Sequence, residues 1–262
     1  MQFASVLEKA FFATLHIETQ FANGVRAEGT AFIFEYKTED NTYPFLVTAK
    51  ESVAGSIEGR MTFMQSQNRS PLLGKGYTLD IEHFEKLWYS HPDDTVGVAV
   101  TPFVPFVKHI ETAGIPVYFY ALTEHESVGG TEPNLSLGDD IVYLGYPRGL
   151  WDRRHLLPVL RRAMVASLVT LKYQGVRQFL VDGRVVSGSV GSPVFHRPGE
   201  DMGKKEEPIL LGMLLRTTTE DDSNSNTSSP SAQTDADEMG VVISADLVVA
   251  TITAYLKEKG FI

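Results

Sequence analysis

No cysteine occurs in this chain. That excludes a disulfide framework, a thiolate zinc or iron–sulfur centre and a cysteine nucleophile, and it predicts a reducing, cytoplasmic setting. Positive charge is scarce as well: 23 Lys and Arg against 33 Asp and Glu leave −10 at pH 7. A nucleic-acid-binding surface spread over the molecule is therefore not expected, because neutralising phosphates takes a concentrated basic face. Long hydrophobic runs are missing too. The longest, from Gly97 to Val107, is about half a bilayer span and holds Pro102 and Pro105. The first ten residues carry Glu8 and Lys9 and lack the basic-then-apolar order of a signal peptide, so no membrane association is predicted.

Strand signals dominate what is present. After a short amphipathic start from Phe3 to Lys9, apolar and polar residues alternate from Phe11 to Thr19. Ala31–Tyr36 and Tyr43–Thr48 then flank a turn-rich segment, a hairpin by its spacing. Further strands are expected at Arg60–Met64, Val96–Val100, Val117–Ala121, Asp140–Leu144, Ala163–Leu171, Arg177–Asp182, Val194–His196, Ile209–Leu215 and Gly240–Ser244. Turn residues interrupt them, among them Gly74 and Gly76, Pro92 to Asp94, Gly129 and Gly130, and Pro198 and Gly199. Many short strands with few helices predict an all-β barrel or sandwich. One helix is expected, Ala245–Lys259, stopped by Gly260.

Residues 217–238 differ in composition. They hold six acids, no Lys or Arg and many Ser and Thr, and read as a flexible acidic surface loop in which Ser223, Ser225, Thr227, Ser228 and Ser229 are candidate phosphorylation sites. The rest of the chain then carries only −4, so the acidity describes an appendage.

Three short motifs follow in order. Phe45–Val53 reads FLVTAKESV and is preceded by Glu28–Ile33, EGTAFI; Asp94–Val100 reads DTVGVAV; Val186–Phe195 reads VSGSVGSPVF. The first resembles the Leu-Val-Thr-Ala-x-His-x-Val segment of chymotrypsin/trypsin-like serine peptidases, with their Gly-x-Gly-Phe strand before it. The second resembles the strand that supplies their catalytic Asp, and the third their Gly-x-Ser-Gly-[Gly/Ser]-Pro nucleophile turn. The resemblance covers roughly residues 11 to 257. It implies a trypsin-like fold of two six-stranded β-barrels, over approximately 11–115 and 116–244, with a cleft between them and a C-terminal α-helix outside.

The same resemblance empties the chemistry. Glu51 stands where the family has His, Gly97 where it has Asp, and Val190 where it has the nucleophilic Ser. A hydroxyl must attack, an imidazole must take and return its proton, and a carboxylate must orient the imidazole. None of the three groups is present, and removing a triad in a comparable protease costs roughly 10⁶ in turnover. Asp94 lies an odd number of residues before Gly97, which in a strand points to the opposite face, so it reads as a turn aspartate. Ser187, Ser189 and Ser192 flank the nucleophile position and read as turn serines. The histidines at 16, 83, 91, 109, 125, 155 and 196 fall in no motif that leads to the cleft, and neither a metal nor a cofactor is implied.

What the resemblance leaves is a binding apparatus. The main chain of Gly188 and Val190 would still form an oxyanion-hole-like nest, and the edge at Leu214, Leu215 and Arg216 would pair with an extended peptide. Glu51 buried beside Val190 would have a raised pKa; solvated, or beside Lys50 or an arginine, it would stay charged. Arg148, Arg153, Arg154, Arg161 and Arg162, with His155, surround Trp151 and form a candidate site for an acidic partner, with a solvated loop paired to local acids such as Asp152 as the plainer expectation. The expected function is a catalytically inactive trypsin-like peptidase homologue serving as a protein- or peptide-binding, scaffold or regulatory module. The alternatives are a hydrolase with a displaced site, an inactive domain of a larger protein, or an engineered inactive variant.

Overall fold

The computed structural model describes residues 3, 5–124, 135–196, 207–216 and 239–262. The acidic segment 217–238 with its serines, His125, and the turns at Gly129 and Pro198 lie outside the described residues.

A capping box opens the first helix, α1 (Val6–Ala10): the Ser5 hydroxyl accepts from the Glu8 amide while the Glu8 carboxylate accepts from the Ser5 amide. There follow β1 (Thr14–Phe21), β2 (Arg26–Lys37), β3 (Thr42–Ala49), the single turn α2 (Lys50–Val53), β4 (Ser56–Gln67), β5 (Ser70–Glu82), β6 (Tyr89–Ser90), β7 (Val98–Pro102), α3 (Val104–Thr112) and β8 (Leu122–Thr123). The strands form one sheet in the order β5-β4-β1-β2-β3-β7-β6, with β8 parallel to β2. The expected hairpin is β2–β3, with Phe34 opposite Phe45. Ile17, Ile33, Leu46, Met61, Phe63 and Phe103 fill the inner face, and hydrogen bonds from Ser66 to Pro116 and from Tyr118 to Met64 stitch the chain after α3 onto β4.

This unit is an eight-stranded sheet where the resemblance implied six strands, and it runs on through β8. Two of its longer elements, β5 and α3, were not expected, nor were the short α2 and β6. The strand expected at Val117–Ala121 is reduced to an isolated bridge at Val117, with β8 following at Leu122–Thr123. β5 was hidden because Gly74 and Gly76 look like turn signals; both lie inside the strand, beside a register shift against β4. α3 was hidden because Pro105 and three apolar residues look like the end of a strand, whereas a proline in the first helical turn costs no hydrogen bond.

The second unit is a closed barrel, β10-β11-β14-β13-β12-β9. Its strands are β9 (Asp140–Gly145), β10 (Val159–Val165), β11 (Gln178–Asp182), β12 (Pro193–His196), β13 (Ile209–Arg216) and β14 (Met239–Ser244). β10 lies earlier than the predicted 163–171, since Leu168 and Leu171 are exposed and the Ser167 hydroxyl accepts from the Leu180 amide in a connecting turn. The barrel encloses Tyr143, Val165, Val181, Val194 and Leu214.

The helix α4 (Ala245–Glu258) ends before Gly260 at φ +71° and lays Val248, Ile252 and Leu256 on a third cluster built from both units, including Phe45, Val98, Phe195 and Met213. That shared cluster is what fixes the two units to each other. Polar ties cross beside it: the buried Thr30 accepts at its hydroxyl from the Tyr146 amide and donates to the Gly188 carbonyl at 2.7 Å, and the Tyr146 hydroxyl donates to the Thr14 carbonyl at 3.1 Å. Among the described residues no helix is long and apolar enough to cross a membrane.

Candidate functional site

Glu51, Gly97 and Val190, the positions that the resemblance sets against the catalytic triad, lie around the junction of the units. β3 delivers Glu51 at the start of α2, where the Lys50 amide donates to the Gly97 carbonyl at 2.9 Å and holds the turn against the entry to β7. Glu51 is exposed, and its Oε1 accepts from the Arg216 amide at 3.2 Å. Lys50 instead pairs with Asp94, Nζ to Oδ1 at 2.7 Å. Asp94 is 95% exposed in the turn after Pro92 and contributes nothing at position 97.

Gly97 faces Leu215. A Cβ built there would lie 3.0 Å from Leu215 Cδ1 and 3.5 Å from Cδ2, so a leucine side chain takes the room into which a side chain from 97 would extend. Val190 is 5% exposed and belongs to the shared cluster; Glu51 is not buried beside it. The carbonyl of Val190 accepts from the Thr30 amide at 2.9 Å.

The turn that carries Val190 is held tightly. Gly188 and Gly191 have φ of +84° and +88°. A Cβ at the first would strike the Tyr146 carbonyl and one at the second the Thr30 carbonyl, so only glycine fits either place. Ser189 and Ser192 are fully buried, and neither hydroxyl has a hydrogen-bond partner among the described residues. Ser187 is exposed.

The edge formed by Leu214, Leu215 and Arg216 is already occupied. The Leu214 amide donates to the Ser192 carbonyl and its carbonyl accepts from Gly191, while the Arg216 amide is taken by Glu51. An incoming strand would find its first free donor only after Glu51 moved aside. Next to this edge an open cleft of about 400 Å³ is lined by Glu51, Gly97, Tyr173, Gln178, Leu215 and Val241 among others. Gly188 and Val190 do not line it. Tyr173, Gln178 and Val241 carry no sequence motif; they are supplied by the turn before β11, by the first residue of β11 and by β14, and only the barrel's closure brings them here.

The arginines do not form one patch. Arg161 and Arg162 are neighbours on β10 and so point to opposite sides: the first lies over the Tyr143 ring and donates to the Arg184 carbonyl, while the second pairs bidentately with Asp140. Asp152, expected to pair with an arginine, instead binds His155 Nδ1 at 2.7 Å and accepts from the Arg154 amide, and these hydrogen bonds hold its carboxyl below the usual range. Arg148, Arg153 and Arg154 are exposed. Of the described histidines, none lines the cleft, and no group of three His, Asp or Glu side chains among the described residues is placed to hold a metal ion.

No family model and no curated protein matches the chain. Solved structures do. A variant of the HtrA-type protease AlgW with a decapeptide superposes at a TM-score of 0.53 with 12% identity, over 97% of this chain and 66% of that one. The protease domain of MamO from Magnetospirillum magneticum gives 0.52 with 11% identity, over 94% and 98%. Catalytically active tobacco etch virus protease, complexed with product, gives 0.50 with 10% identity, over 93% and 77%. The fold is that of the trypsin-like serine proteases.

Proposed function

We propose that this chain is a catalytically inactive trypsin-like peptidase homologue that works by binding protein or peptide, as a scaffold or regulatory module in the cytoplasm. The observation that carries the reading is the side chain of Leu215 against Gly97. Losing a carboxylate by substitution alone would leave a gap, whereas here an apolar side chain borders the position and Val190 has joined the core. Both changes favour packing over proton transfer, and neither position supplies an imidazole, a hydroxyl or an orienting carboxylate of its own. The open cleft beside β13 is the binding surface in this reading, with Leu215 and Val241 offering apolar contact and Glu51, Gln178 and Arg216 offering polar contact.

The test is incubation with a proteome-derived peptide library, read by mass spectrometry for cleavage and, after washing, for retention. The expected result is no cleavage above a heat-denatured control, with a retained set of peptides that Tyr173→Ala or Arg216→Glu reduces. Cleavage abolished by a single cleft substitution would establish a hydrolase instead.

A further inference from the structure

His16 is a buried titratable group that the cleft does not use. It lies on β1 with its side chain 7% exposed, against the rings of Tyr146 at 4.8 Å and Trp151 at 5.6 Å, which belong to the second unit and meet each other at 5.8 Å. Its Nδ1 is 3.7 Å from Glu18 Oε1 and its Nε2 is 3.6 Å from Glu28 Oε2. Each gap exceeds the roughly 2.8 Å of a charge-assisted hydrogen bond. Both Nε2 and Glu28 Oε2 are buried without a hydrogen-bond partner among the described residues. A neutral imidazole has only one N–H, so one ring nitrogen must present its lone pair to a carboxylate; a protonated ring would donate to both.

The charged groups around the ring come from each element that packs on it. Glu18 lies on β1 and Glu28 on β2; behind Glu18 stands Arg60 of β4, at 4.0 Å and bound to Asp80 of β5. Arg153, exposed in the loop after β9 in which Asp152 and His155 satisfy one another, acts on the ring through its charge. Burial holds His16 below its ordinary value of 6.5, Arg153 adds to that, and the two carboxylates pull the other way.

We propose that His16 is an acid-operated release for the loop of residues 146–157. One proton on the ring draws Glu18 and Glu28 onto its two nitrogens and repels Arg153. The Glu28 carboxylate rests against Gly149, where a Cβ would strike it, so its movement takes away a contact that seats the loop. The same loop holds the turn at Val190: the Arg148 amide donates to the Ser187 carbonyl at 2.6 Å, and Gly188 packs against the Tyr146 carbonyl. A proton taken up on β1 is thereby felt at the backbone of Ser187 and Gly188, in the other unit.

The chain has two tryptophans, so Trp88→Phe leaves Trp151 as the only reporter. Trp88 is buried and its Nε1 has no hydrogen-bond partner among the described residues, so the exchange removes no hydrogen bond among them. The experiment follows Trp151 emission and amide exchange of 146–157 in that background as pH falls. The expected result is a one-proton change in emission with its midpoint below 6.5, accompanied by faster exchange in 146–157 and absent in His16→Gln. Removing a carboxylate with Glu28→Gln lowers the midpoint, and removing a cation with Arg153→Gln raises it. A flat emission profile, an unchanged transition in His16→Gln, or midpoints that fail to move in these opposite directions would overturn the proposal. The last comparison stands even if His16→Gln does not fold.

Discussion

Leu215 Cδ1 stands 3.0 Å from where a Cβ on Gly97 would be. The two residues belong to different units, β13 and the entry to β7, and each accounts for the other: without a side chain at 97, leucine has room, and with leucine at 215, a carboxylate at 97 would meet methyl groups in place of an imidazole. Gly97→Asp is therefore expected to cost about 1–3 kcal/mol through overpacking. Adding Leu215→Ala should make the pair less destabilised than the sum of the single changes, by about 1 kcal/mol or more. Urea unfolding of the four proteins measures this directly.

Val190→Ser tests the proposal that the position set against the family's nucleophile serves as core. Replacing a buried valine by a residue with a hydroxyl is expected to cost about 1–3 kcal/mol in chemical unfolding and to confer no hydrolytic activity, because neither base nor orienting acid accompanies it. Unchanged stability would mean that the site still tolerates a serine as an exposed turn would.

Thr30 bridges the units through one hydroxyl, which accepts from Tyr146 and donates to Gly188. Thr30→Val keeps the shape and strands both partners. A loss of about 1–3 kcal/mol in thermal or urea unfolding is expected, the cost of leaving buried polar groups unpaired.

Stability should fall with acid through His16. Its folded-state pKa is depressed below 6.5 by burial, so between the folded and unfolded values the unfolded chain holds more protons. Stability is then complete above 6.5 and declines as pH drops from there toward the folded value. Urea unfolding at a series of pH values should show a shallower decline over that window in His16→Gln than in the parent.

Glu51 protects the Arg216 amide. In Glu51→Ala, exchange of that amide should quicken about fivefold, the equivalent of a hydrogen bond worth about 1 kcal/mol, with amides in β9 unaffected. Amide exchange followed by NMR resolves the two.

Much of the fold was legible because period and spacing carry it. The β2–β3 hairpin, the β9, β11 and β14 strands and the terminal helix follow from local alternation, and the three motifs point to the trypsin-like fold. β5 and α3 were not legible, since two glycines and a proline have local meanings that packing overrode. At the site, the sequence could mark positions 51, 97 and 190 but not what surrounds them. That Leu215 borders Gly97, that Glu51 takes the Arg216 amide and that Lys50 turns to Asp94 are contacts between residues far apart in the chain. His16 falls in no motif for the same reason: its partners include Tyr146 and Trp151, which reach it only once the two units meet.

The central claim is that no nucleophile operates in this fold. Incubation with a fluorophosphonate probe, followed by intact-mass and peptide mapping, tests it most directly. The account predicts no stoichiometric adduct under conditions that fully label an active trypsin-like protease. A single specific adduct on a serine of the Val190 turn, such as Ser187, Ser189 or Ser192, would contradict it.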